Sequence, residues 1–249
     1  MSDNKKTPKM FKKIKKYFSS NKKDAKKVEE EKDFIGEVKD FMKDLVIIVI
    51  LVLFIRTFLA MPFQINWQSM YSSYYDKEFI IVDRLSYRFT EKKRWDVVVF
   101  KPHVSQVKEF YLKRIIGLPG ETVMIKDGVV SIKDDGADSF TPLDETYLND
   151  ENKGYTFVNG ISSEETFVVP ENQYFVLWDN RNHSTDSRQC FASCAYPWSL
   201  HYIRSQDITG KVFLDLGYFN FRQFEFIHPE LAIETKPKFL NSPKNHDYK

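Results

Sequence analysis

The chain has two cysteines in 249 residues, a net charge of only +2, and no convincing amphipathic helix after residue 64. Thirty-seven basic against 35 acidic residues give no reason to expect nucleic acid as a partner. Cys190 and Cys194, with three residues between them, come without a paired-histidine motif, so no metal site is expected. No internal repeat is visible, which excludes a solenoid. The remaining possibility is one sizeable domain with appendages.

The charge is unevenly spread. Residues 1–44 carry lysine pairs at 5–6, 12–13, 15–16, 22–23 and 26–27 with few apolar residues between them, and read as a solvated basic arm. Residues 45–63 then read LVIIVILVLFIRTFLAMPF. Nineteen residues rising about 1.5 Å each match a hydrocarbon core of about 30 Å, so this run is expected to be one uncleaved transmembrane anchor. The polar leader is too long for the n-region of a signal peptide. Lysines favour the cytoplasmic side, which puts residues 64–249 outside. In that setting a disulfide between Cys190 and Cys194 is expected.

The external part reads as β. Apolar or alternating runs at 79–82, 97–100, 109–116, 122–126, 129–133, 166–169, 174–178 and 211–216 are separated by turn signals. Asp127-Gly128 between two of them signals a two-residue hairpin, and Pro119-Gly120 suits a type II turn. Residues 134–165 are polar and turn-rich, and are expected to be an insertion. The expected fold is mostly β: an antiparallel β-sheet domain on one N-terminal transmembrane helix.

Three places carry chemistry. Ser69 lies six residues past Phe63, within about 20 Å of the end of the apolar run even if fully extended. Lys113 sits among Phe110, Tyr111, Leu112, Ile115 and Ile116, where a lysine must reach water or lose its proton. To be half neutral at pH 7 its pKa must fall by about 3.4 from ~10.4, a differential of ~4.6 kcal/mol that burial can supply. A neutral Lys113 could take the Ser69 proton as the hydroxyl attacks a peptide carbonyl. In the polar loop 178–188, Ser184 could orient the amine while Asp186 and Arg188 pair to hold the loop. His183 is a rival base without an acidic partner fixed by sequence.

With YLKRIIGLPGETV (111–123) and DNRNHSTDSR (179–188) in this order behind an apolar run, the chain resembles bacterial type I signal peptidase. RTFLAMPFQI, Ser69-Met70 and RWDVVVFKP add support over about residues 45–216. The resemblance implies a membrane serine endopeptidase that cuts signal peptides from exported preproteins at the outer face of the cytoplasmic membrane, as a monomer without a cofactor. It implies Ser69 as nucleophile, Lys113 as general base and Ser184 as the residue positioning it. Arg114, Asp186 and Arg188 are implied to be structural. Phe63, Gln64, Ile65 and Asn66 match a strand that pairs with the extended substrate. Tyr111 and Leu112 match residues lining shallow pockets for small side chains, and Trp67 and Met70, on either side of the nucleophile, are likewise expected to bind the substrate.

The sequence departs from the family pattern at several points. Around the nucleophile it reads Asn66-Trp67-Gln68-Ser69-Met70-Tyr71-Ser72-Ser73, and Trp67 cannot supply the hydroxyl that many members direct at the oxyanion. Trp178 stands where a glycine usually precedes Asp-Asn-Arg, and Gln189-Cys190 replace an aromatic-Gly continuation. These changes motivate a second reading, a paralogue that binds signal peptides or a membrane partner without efficient cleavage. A self-cleaving Ser/Lys regulator is a third, disfavoured by the apolar run and the lack of a DNA-binding segment.

Overall fold

The structure, a computed structural model, describes residues 35–66, 70–71, 73–102, 109–158, 165–182, 185–192, 201–220, 224–227 and 237–239. Most of the basic arm, and with it Trp67, Ser69, His183, Ser184 and Cys194, lies outside the described residues. The chain divides into two compact units, Met1–Phe54 and Ile55–Lys249. In the first, residues 35–54 are α-helical, and all ten side chains from Leu45 to Phe54 are exposed and apolar.

The anchor expected over 45–63 is not realised as one helix. A π-helical turn, Ile55–Leu59, gives way to strand β1, Ala60–Gln64, which takes the last four residues of the apolar run. Pro62 explains the change, because proline has no N–H to donate and its ring clashes with the preceding helical turn, while an edge strand tolerates it. The helix 35–54 carries Glu37, Lys39, Asp40, Lys43 and Asp44 in its first half. Among the described residues no helix is long and apolar enough to cross a membrane.

The second unit is mostly antiparallel β. Strand β1 pairs with β2 (Phe79–Asp83), from Ala60 against Asp83 to Gln64 against Phe79. Strands β3 (Val97–Phe100) and β4 (Tyr111–Gly117) follow, with Lys113 opposite Val98. Next come β5 (Thr122–Lys126), β6 (Val129–Lys133), the short β7 (Thr141–Pro142) and β8 (Glu165–Val168), which form a sheet in the order β7-β6-β5-β8. Then β9 (Gln173–Leu177), β10 (Ile203–Arg204), β11 (Ile208–Gly217) and β12 (Lys238–Phe239) complete a larger sheet, ordered β1-β2-β11-β3-β4-β9-β10, with β12 also on β11.

The β5–β6 hairpin turns on Asp127 and Gly128, with φ of 50° and 82°, the two positive values a type I′ turn requires. A Cβ on Gly128 would also lie 1.9 Å from the Gly154 carbonyl oxygen, so this turn doubles as a docking point for the 134–165 segment. That segment is not purely superficial: Glu145, Leu148, Asn152, Thr156 and Val158 are buried. Strand β3 is buried along its whole length and separates two apolar clusters. Val97 and Val99 join Ile65, Met70, Ile80 and Val82 on one side, while Val98 and Phe100 join Ile115, Val176 and Phe191 on the other. A third cluster, with Val123, Val130 and Phe167, fills the smaller sheet.

Candidate active site

A cleft of about 980 Å³ opens over the β1 side of the large sheet. Phe63, Gln64, Ile65 and Asn66 line one wall, Phe110 to Lys113 the other, and Ile80 and Val99 the floor. Phe63 and Phe110 meet edge to face at 5.1 Å between centroids. Asp76, Lys77 and Glu109 are its charged lining residues apart from Lys113, and Trp178 and Thr185 complete it. Strand β1 lies at the sheet edge, so the backbone groups on its outer side have no partner within the sheet.

Lys113 ends in this cleft although it is only 1% exposed. Its Nζ lies 3.6 Å from the centroid of the Trp178 ring and 4.7 Å from that of Tyr111. Among the described residues it donates one long hydrogen bond of 3.4 Å, to the Leu112 carbonyl. Burial pushes the amine well below its ordinary pKa, and the nearby Asp186 charge offsets only part of that. Burying a charged amine away from a bonded carboxylate is costly, which is why burial disfavours the ammonium form here.

The neighbouring buried cations are handled differently. Arg114 grips Asp179 with two bonds of 2.9 and 2.6 Å and donates a third, of 3.0 Å, to the Trp95 carbonyl. Burial alone would lower its pKa, yet the Asp179 carboxylate outweighs that and the net direction is upward. Arg181 pairs with Glu145 and donates to Thr156 Oγ1 at 2.8 Å and Tyr147 Oη at 2.9 Å. Arg188 binds both oxygens of Asp186 at 2.9 Å and donates to the carbonyls of Phe157 and Arg181. Among the described residues each buried arginine thus holds a carboxylate, and Lys113 holds none.

Of the residues picked out from the sequence, the structure brings Phe63, Gln64, Ile65, Asn66, Tyr111, Leu112 and Lys113 together around one cleft. Asp186 and Arg188 form an ion pair beneath the loop, and Arg114 is held by Asp179 instead of facing the cleft. Met70 does not line the cleft. It is fully buried in the same apolar cluster as Ile65, Ile80 and Val99, because its unbranched side chain fills the core under the chain turn at 70–74. Ser69 and Ser184 lie outside the described residues, but their neighbours Met70 and Thr185 are placed in the core under the cleft and in its lining. Cys190 is disulfide-bonded, and Cys194 lies outside the described residues.

Sequence reasoning missed Asp179, Arg181, Glu145 and Trp178. The first two stand in the quoted Asp-Asn-Arg tripeptide and had a signal of their own. Glu145 had none, since 36 positions separate it from Arg181.

The family model "Signal peptidase, peptidase S26" matches residues 38–216. Signal peptidase I T of Bacillus subtilis (strain 168) is 38% identical over 149 residues, covering 59% of this chain and 72% of that protein. Signal peptidase I of Bacillus amyloliquefaciens is 35% identical over 156 residues, covering 61% and 77% respectively. A crystal structure of a signal peptidase I from Enterococcus faecalis V583 covers 49% of this chain and 97% of its own, at 27% identity and a TM-score of 0.36, a score on which nothing below depends. The family match spans the helix, the cleft strands and the lysine strand alike, and the chain belongs to the signal peptidase family, peptidase S26.

Proposed function

We propose that this protein is a serine endopeptidase that removes N-terminal signal peptides from exported preproteins. The observation that carries the reading is Lys113: a fully buried amine, without a bonded carboxylate among the described residues, lining a cleft with an edge strand. An extended signal-peptide segment adds to the free edge of β1 through main-chain hydrogen bonds. Tyr111 and Leu112 wall shallow pockets for small side chains before the cut.

Lys113 takes the Ser69 hydroxyl proton as Oγ attacks the scissile carbonyl carbon. It returns that proton to the departing amine as the C–N bond breaks, which leaves an acyl-enzyme. Water, activated by the same amine, then hydrolyses the ester. Ser184 orients Nζ, while the Arg188–Asp186 and Arg114–Asp179 pairs fix the loop and strand that carry the two groups. The Ser69 backbone N–H serves the oxyanion, since Trp67 has no hydroxyl to offer.

The protein works as a monomer and without a cofactor. The exposed apolar residues from Leu45 to Phe54 attach it to the bacterial cytoplasmic membrane. The lysine-rich arm stays on the cytoplasmic face and the catalytic unit lies outside. No feature of the relatives favours a non-cleaving paralogue.

The test is cleavage of a preprotein whose signal ends in Ala-x-Ala by the detergent-solubilised full chain, beside Ser69→Ala and Lys113→Ala. The parent is expected to cut after the second Ala and both variants to be inactive. A folded parent that leaves the preprotein intact would sink the proposal.

A further inference from the structure

We propose that Trp178 is a further positioning residue of the site, in addition to Ser184: its indole face seats the Lys113 amine and keeps water off it. This rests on Lys113 being the base. Among the described residues the polar contact Nζ makes is weak, the 3.4 Å bond to the Leu112 carbonyl. The closest group is the Trp178 ring at 3.6 Å, nearer than Tyr111 at 4.7 Å.

The ring is held there by design of the backbone. Arg114 pairs with Leu177 across β4 and β9, so the next step in register sets Trp178 beside Lys113. Its N–H donates to Asp186 Oδ2 at 3.3 Å, and its carbonyl accepts from Arg181 Nε at 2.7 Å. Both backbone groups are therefore clamped by carboxylate–arginine pairs, Asp186–Arg188 and Glu145–Arg181. The ring also packs on the apolar cluster under the cleft and lines the cleft itself. Its own Nε1 is buried with no hydrogen-bond partner among the described residues.

The charged surroundings define the sign of the test. Asp186 favours the ammonium, Tyr111 flanks the amine from its own strand, and Val98 opposite brings no charge. Asp76, Lys77 and Glu109 lie in the cleft lining. Burial is the largest of these influences and lowers the pKa of the amine. Removing the ring forfeits the attraction of its π face for the ammonium but admits water to the amine; burial is the larger influence on Lys113, so hydration wins and the onset of activity moves to higher pH.

Two readouts are taken on the detergent-solubilised full chain: the pH–rate profile on an Ala-x-Ala preprotein, and the pH dependence of Lys113 labelling by an amine-reactive reagent, read by mass spectrometry. In Trp178→Ala both the acid limb and the labelling midpoint are expected to rise by about one pH unit or more, with kcat reduced about tenfold. Trp178→Phe, which keeps an aromatic face, is expected to stay within about 0.3 units of the parent. If Trp178→Ala does not fold, Trp178→Leu is expected to show the same upward shift. A slower variant whose limb and midpoint stay put or fall reduces Trp178 to a packing residue and overturns the proposal. Absence of cleavage by the parent would instead indict Lys113 as base, and the labelling midpoints would still decide what Trp178 does to the amine.

Discussion

Lys113 and Arg114 are adjacent in one strand, and the fold treats their charges in opposite ways. Arg114 is given a bidentate carboxylate, a backbone carbonyl, and the Tyr147 ring 4.0 Å away. Among the described residues Lys113 is given two aromatic faces and a single long contact. The arginine keeps its charge and ties β4 to the loop after β9. The lysine is pushed away from its charged form by burial. Burial is common to both, so a carboxylate partner on Arg114, and none on Lys113 among the described residues, sends the two pKa values in opposite directions.

Changing the lysine should have the largest effect. Lys113→Met keeps the volume, removes the base, and should reduce cleavage by about 10³-fold or more in a single-turnover assay. Its stability should move the other way. The folded pKa is depressed, so near neutral pH the unfolded chain binds a proton that the native state refuses. That penalty is present below the unfolded pKa of 10.5 and fades as pH rises towards it. Lys113→Met should therefore melt above the parent at neutral pH, by a margin that closes in alkali.

Arg114→Met is the mirror experiment. It strands Asp179 in the interior and should destabilise the protein by about 3–5 kcal/mol in chemical denaturation. Adding Asp179→Leu should recover part of that loss, and full additivity of the two would break the comparison.

A smaller effect is expected from Asp186→Asn. Asp186 is the charge that favours the Lys113 ammonium, so its loss should move the acid limb of the pH–rate profile to lower pH, even as the Arg188 contact weakens. A limb displaced upward would contradict the assignment. The least effect belongs to the exposed Lys153–Asp144 pair, at 3.8 Å with side chains 54% and 68% exposed. Lys153→Ala should change stability by under about 1 kcal/mol.

How far the sequence carried these conclusions depended on the range of the interaction. The hairpin at Asp127-Gly128 was legible because two adjacent residues determine the turn, and β3, β5 and β6 have the bounds their alternation implies. Lys113 was legible because an apolar strand around a lysine is a local contradiction. The boundary between helix and β1 was not, since hydropathy scores Ala60–Phe63 the same in a membrane helix and in an edge strand; only Pro62 hinted at the change. The two-residue strands β7, β10 and β12 exist only through their partners. The Glu145–Arg181 pair and the Trp178 ring over Lys113 arise from tertiary packing, and no pattern in the chain announces them.

The central claim is that Lys113 is a neutral amine in the folded protein. Its most direct test is a pH titration of the full chain carrying ¹³Cε-labelled lysine, followed by NMR in detergent, with the Lys113 signal assigned by its loss in Lys113→Met. The signal should titrate with a midpoint well below the ordinary 10.5, apart from the exposed lysines. A Lys113 signal that titrates together with those lysines would contradict the account.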